Sequence, residues 1–282
     1  MKVLIQCNKF QALAAKVSRY SFIKNGFKDV EIIDVDDCEI LKKYSGQKYL
    51  RNGNLTKYDL NDLQSFTLLR FIPYEIINKG YCIIIDPDIF AVKNPFDHLN
   101  LIINEELNIY CTKIDNKFRS EVMLLNLNKK LWDFNNLIED LFNLKIDYSE
   151  LINLKFIEEI NIKELSKNFN EHDKITNETI FLHTTNRITQ PWKEGLDINF
   201  NNHFTKTYKL KNYIKFLLRM NYDKKVISNK FTEHPNIEVK KFVIKCFKEA
   251  LENGYISKKE IINSVKKKYI SEKFGYNIIN GN

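Results

Sequence analysis

The sequence predicts a mixed α/β domain followed by a helical, basic carboxyl-terminal region. Three observations lead there. A short apolar strand, a helix and a β-branched strand follow one another at the amino terminus; a continuous apolar run at Tyr81–Ile85 ends in two aspartates; and beyond residue 205 apolar residues recur at helical spacing. With 44% hydrophobic residues and only 8 Gly and 5 Pro in 282 positions, the chain can bury a large core, which excludes a disordered, collagen-like or disulfide-stapled molecule.

Val3-Leu4-Ile5 reads as the first strand rather than a secretory leader, because no basic region and long apolar stretch open the chain. Leu13, Ala14, Val17 and Tyr20 then keep helical spacing up to a stop at Asn25-Gly26. Val30–Val35 returns as a strand, and this strand-helix-strand unit is expected to cross over into a parallel sheet. Residues 38–60 read as a long polar loop. Leu63, Phe66, Leu69 and Ile72 predict a helix over 61–78 with a kink or restart at Pro73. Tyr81–Ile85, apolar throughout, has the mark of a strand buried on both faces. Further strands are expected at Glu121–Asn126 and Thr179–His183, with helices over 129–144 and 147–165. Val239, Phe242, Val243, Cys246, Phe247, Ala250 and Leu251 form a helical stripe, and Ser257 with Glu260 is a capping-box signature for one more helix.

Charge divides the chain in the same place as periodicity. Residues 206–282 hold 18 basic and 7 acidic side chains, a net +11, whereas residues 1–205 net −3. We therefore separate an α/β domain, 1–205, from a basic helical region, 206–282. The latter is expected to be drawn to phosphates, as on an anionic membrane, or to present a solvated helical face. No nucleic-acid signature accompanies the charge, since its aromatic residues fall at core spacing. Cys7, Cys38, Cys82, Cys111 and Cys246 lack zinc-ligand spacing, which suits a reduced interior. The expectation is a cytoplasmic protein, peripheral on the inner face of a membrane.

Asp86 and Asp88, on either side of Pro87, leave the end of a buried strand together. Hard carboxylate oxygens so placed suit Mg²⁺ or Mn²⁺, and a cation there would offset charge on a departing diphosphate. An Asp-x-Asp is also common in plain turns; its position after a buried strand sets this one apart.

The stretches Ser65–Phe71, Gly80–Phe90 and Asn94–Leu99, with Ser120–Asn126 and the loop from His183 to Pro191-Trp192, resemble GT-A glycosyltransferases. They are most similar to family 8, the glycogenin and lipopolysaccharide galactosyltransferase group, over roughly residues 1–200. The resemblance implies a GT-A, Rossmann-like mixed sheet, a UDP-sugar donor, an acceptor hydroxyl, a divalent metal and retention of anomeric configuration. It implies Asp86, Asp88 and His183 at the metal, Asp86 also near the ribose, Arg70 at the donor sugar or diphosphate, Gln6 and Asn8 at the base, and Asp147 and Tyr148 near the donor sugar. Two departures stand out. The family's Asn-x-Gly is Arg119-Ser120-Glu121, which adds charge beside the sugar pocket. The His183 loop is one residue longer, with Asn186 for Gly and Gln190 for a phosphate-binding Lys, leaving Arg187 or Lys193 to supply that charge. Two other readings compete: a haloacid dehalogenase-type phosphatase with Asp86 as nucleophile and Asp88 as general acid, and a non-catalytic binder of polyanions or membranes through 206–282.

Overall fold

The computed structural model describes residues 1–103, 108–186, 188–198, 206–220 and 230–281. The first strands behave as their apolar pattern requires. β1 (Lys2–Cys7) lies in the middle of a parallel group, with β2 (Asp29–Asp34) on one side and β5 (Tyr81–Ile85) on the other. Helix α1 (Ala12–Lys24) makes the β1-to-β2 crossover. The six-stranded sheet then continues β8 (Lys117–Asn126), β7 (Ile109–Ile114), β9 (Ile162–Glu164), with β8 antiparallel to both β5 and β7. The mixed α/β architecture expected from the sequence is the one observed.

Because β1 leads outward to β2 while β5 joins its other edge, a crevice opens beyond the carboxyl ends of β1 and β5, where open sheets of this kind bind ligands. Successive residues of β5 serve opposite faces, as strand geometry demands. Cys82 and Ile84 face a core built with α5 (Phe134–Phe142) and α6 (Tyr148–Ile152), whereas Ile83 and Ile85 join Ala15, Phe22 and Phe181 on the α1 side.

Several expected elements differ. Residues 38–60 fold into α2 (Glu39–Lys43) and a hairpin, β3 (Lys48–Arg51) with β4 (Asn54–Lys57). Its two-residue turn, Asn52-Gly53, has φ of 51° and 73°, the left-handed pair that such hairpins need. The expected helix over 61–78 is a 3₁₀ segment, Ser65–Phe71, followed by α3 (Pro73–Ile76) with Pro73 at its first position. Residues 147–165 hold the short α6 and a 3₁₀ turn, Glu159–Asn161, before β9, because Leu154 takes a left-handed φ of 57° that interrupts the helix.

A small second sheet, β10 (Glu171–His172), β11 (Phe181–His183) and β6 (Ile89–Ala91), completes the crevice. In the carboxyl-terminal region α7 spans Lys206–Leu217, α8 Ile237–Glu252, α9 Lys258–Lys266 and α10 Glu272–Asn280; α4, in the first part of the chain, spans Phe96–Ile102. The stripe Val239, Val243, Cys246, Phe247 and Ala250 of α8 packs against Leu13, Ala14, Val17 and Tyr20 of α1. The Ser257–Glu260 capping box forms as expected. The division after residue 205 lies outside the described residues. Trp192 is buried in the core shared by α1 and α8, its ring 6.1 Å from that of Phe90, as a packing residue should be.

Candidate active site

Strand register assembles the site. Asp86 is the residue after β5, and the chain turns there, the Ile89 amide donating to the Asp86 carbonyl at 3.2 Å. The turn leads into β6, whose Ile89 pairs with His183 at the end of β11. His183 therefore lies beside Asp88, with Nε2 3.5 Å from Oδ1. One ligand atom from each of Asp86, Asp88 and His183 can be chosen so that all lie within 4.8 Å of one another, and all three residues are buried.

The supporting bonds divide the labour between the two acids. Arg70, from the 3₁₀ segment, holds Asp86 through both carboxylate oxygens, with Nε to Oδ1 at 2.9 Å, and reaches Ser120 Oγ at 3.0 Å through Nη1. Gln6 Nε2 also donates to Asp86 Oδ1, at 2.9 Å. Burial pushes the Asp86 carboxyl upward against the pull of Arg70. Burial likewise works against the Arg70 cation, but Asp86 and Glu121 override it and keep the guanidinium charged. Asp88 is held more lightly, by Gln190 Nε2 at 2.9 Å from Oδ2. His183 Nδ1 lies 2.8 Å from Asn170 Oδ1, and the Asn170 amide donates to Thr112 Oγ1 at 3.1 Å, so Nδ1–H faces Asn170 and Nε2 faces the acids. Burial disfavours the charged imidazole; the Asp88 hydrogen bond, with the charges of Asp88 and Asp86, overrides it and raises the His183 pKa.

A cavity of about 240 Å³ opens over these residues, lined also by Gln11, Phe66, Arg119, Glu121 and His172. Register again explains the neighbours: Ile85 pairs with Val122, so Asp86 and Glu121 meet where β5 ends beside β8, while His172 pairs with His183. The His172 and His183 rings stand edge-to-face, 5.3 Å apart. Among the described residues, buried Glu121 Oε2, Arg119 Nε, His172 Nε2, Gln6 Oε1 and Gln190 Oε1 have no hydrogen-bond partner. Buried polar atoms are normally paired, so this concentration marks a surface shaped for a polar ligand. Two carboxylates and an imidazole oriented through its far nitrogen form a donor set that fits Mn²⁺ or Mg²⁺.

Other expected residues lie elsewhere. Asn8 uses its amide on Asp62 O, Leu63 O and Ser65 Oγ, which ties the loop after β1 to the 3₁₀ segment. Gln6 turns its amide to Asp86 rather than outward. Asp147 caps α6, accepting from Ser149 N at 2.7 Å, and also accepts from Asn52 N and Gly53 N of the hairpin turn. Tyr148 is buried beneath Arg51, its hydroxyl 2.7 Å from Thr67 Oγ1. Neither Asp147 nor Tyr148 lines the cavity. Arg187 lies outside the described residues. Lys193 is buried away from the cavity, Nζ 5.3 Å from the Phe231 ring centroid, and burial pushes its pKa down to about 7 against the opposing charge of Asp88. His172 and Asn170 carried no sequence signal, because the place of His172 comes from β10 pairing with β11, and that of Asn170 from a 3₁₀ segment just before β10 and its bond to Thr112 of β7. With both oxygens of Asp86 held by Arg70, this carboxylate is poorly placed to attack a phosphoryl group, which weighs against the phosphatase reading.

No family model and no curated protein matches the chain. Among solved structures it is similar to the glycosyltransferase GlyE of Streptococcus pneumoniae TIGR4, at 14% identity and a TM-score of 0.46, over 72% of this chain and 57% of that one. It is similar also to the galactosyltransferase LgtC in complex with donor and acceptor sugar analogues, at 10% identity and a TM-score of 0.46, over 80% and 98%. Mouse xyloside xylosyltransferase 1 in its apo form gives 14% identity and a TM-score of 0.42, over 65% and 97%. The chain thus spans less than two thirds of GlyE.

Proposed function

We propose that the chain is a GT-A-type glycosyltransferase that moves a sugar from a UDP-sugar to an acceptor hydroxyl, with retention and with Mn²⁺ or Mg²⁺. The observation that carries this reading is the convergence of Asp86, Asp88 and His183 on a polar cavity at the sheet's switch point. The motif resemblance around the same residues supports the nucleotide and the stereochemistry.

Asp88 and His183 would hold the cation, which, when bound, supplies Lewis-acid neutralisation of charge on the departing diphosphate. The remaining steps belong to side chains. Asn170 keeps His183 in the tautomer that offers Nε2, and Gln190 restrains Asp88. Arg70 cancels the charge of Asp86, which lowers the repulsion an incoming pyrophosphate would meet. Glu121 accepts hydrogen bonds, Arg119 Nε donates them, and His172 Nε2 does either according to tautomer. Sugar hydroxyls both donate and accept, so this mixed set suits the transferred sugar. The carboxylate of Glu121 disfavours a sugar that carries its own carboxylate.

Incubation with a panel of UDP-sugars and Mn²⁺, followed by chromatography of the nucleotide, should show UDP released from a neutral sugar donor. Asp88→Ala should lower that release at least ~100-fold, since even residues that only support metal ligands cost 10- to 100-fold. Glu121→Gln should narrow the preference for neutral over uronic acid donors. No UDP from any sugar nucleotide, with water or simple sugars as acceptors, would overturn the reading.

A further inference from the structure

Among the described helices of the carboxyl-terminal region, α7 stands apart in what it exposes. α8 and α10 bury their apolar stripes, whereas Leu210, Ile214, Leu217 and Leu218 are 59%, 45%, 60% and 64% exposed, with Tyr213 at 50%. Their spacing, i, i+3, i+4, i+7 and i+8, places them on one face, and Leu218 continues the helical bonding through its amide to the Ile214 carbonyl at 2.9 Å. The four aliphatic side chains Leu210, Ile214, Leu217 and Leu218 together present more contiguous apolar surface to water than a surface helix ordinarily does, the mark of a binding face.

Charge identifies that partner. Residues 206–220 contain Lys206, Lys209, Lys211, Lys215 and Arg219 and no acidic residue. Lys211, Lys215 and Arg219 are exposed. Lys209 and Lys211 sit at positions on either side of the stripe. A protein groove that received this face would need acids on both rims, whereas an anionic bilayer offers phosphates at every edge and acyl chains beneath. At about 1.5 Å rise per residue the twelve-residue helix is roughly 18 Å long, too short to cross a bilayer, and no helix among the described residues is long and apolar enough to do so. We propose that α7 docks the protein on an anionic membrane, lying in the interface plane with Leu210, Ile214, Leu217 and Leu218 among the acyl chains and its lysines at the lipid phosphates. This narrows the basic region's expected membrane contact to one helix. It is independent of the chemistry assigned to the Asp86 cavity.

The test is co-sedimentation of the full chain with vesicles of phosphatidylcholine alone and of phosphatidylcholine mixed with phosphatidylglycerol. The protein should pellet with the mixed vesicles, less so as salt rises. Leu217→Ser with Leu218→Ser should weaken binding at least ~10-fold, and Lys211→Ser with Lys215→Ser should weaken it by roughly 5-fold per residue. Both pairs are surface changes, and an unaltered thermal transition will show that the fold is intact. Equal binding to both vesicle types, or serine variants that bind like the parent, would overturn the proposal. So would a chain that ignores vesicles and instead self-associates through this face, seen as a dimer that Leu217→Ser and Leu218→Ser dissociate.

Discussion

Two acidic sites invite comparison, one around Asp86 and Asp88 and the other around Asp147. Both follow secondary-structure boundaries, and both suggest ligand contact in the sequence. At Asp147 the carboxylate is consumed locally, by the α6 cap and by two amides of the hairpin turn. Around Asp88 the bonding stops short: Gln190, Glu121, Arg119 and His172 keep buried atoms without partners among the described residues. Asp147 therefore serves architecture, while the Asp86 cavity keeps open hydrogen-bonding capacity that a ligand can fill.

The largest effect that would sharpen this contrast lies beneath the cavity. Arg70→Met strands the Asp86 carboxylate in a buried site, and breaking such a pair should cost about 3–5 kcal/mol in urea unfolding. A variant as stable as the parent would mean that Asp86 takes a proton instead of relying on Arg70.

Lys193 gives a second, pH-dependent test. Its proton is held less tightly when folded, at a pKa of about 7 against 10.5 in the unfolded chain. Between those values the unfolded state binds more protons, so the Lys193 contribution makes unfolding free energy rise with pH across that window, and the penalty is complete below it. Lys193→Met should remove the slope and raise the melting temperature most below about pH 7. An equal gain at every pH would show that the folded chain holds the Lys193 proton as tightly as the unfolded chain does.

The smallest expected effect is at the other acid. Asp147→Ala should lose about 1–2 kcal/mol through the missing cap and leave UDP affinity unchanged. Loss of UDP binding there would break the contrast between the two sites.

What the sequence made legible follows from range. Tyr81–Ile85 and its two aspartates form a local pattern whose burial is written in adjacent residues, and the α1 and α8 stripes are equally local. His183 was legible through its motif context. The hairpin turn at Asn52-Gly53 was also local, but polar flanks hid the strands. Asn170 and His172 were not legible, because their places depend on β10 pairing with β11 and on Thr112 from another sheet. Arg70 was recognised as a site residue, yet only the packed structure shows that its fork is spent on Asp86 rather than pointing into open cavity.

Calorimetric titration of UDP into the protein, with Mn²⁺ and again after chelation, tests the central claim most directly. The account predicts binding that requires the metal, is abolished in Asp88→Ala and persists in Asp147→Ala. UDP binding that is indifferent to both the metal and Asp88 would contradict it.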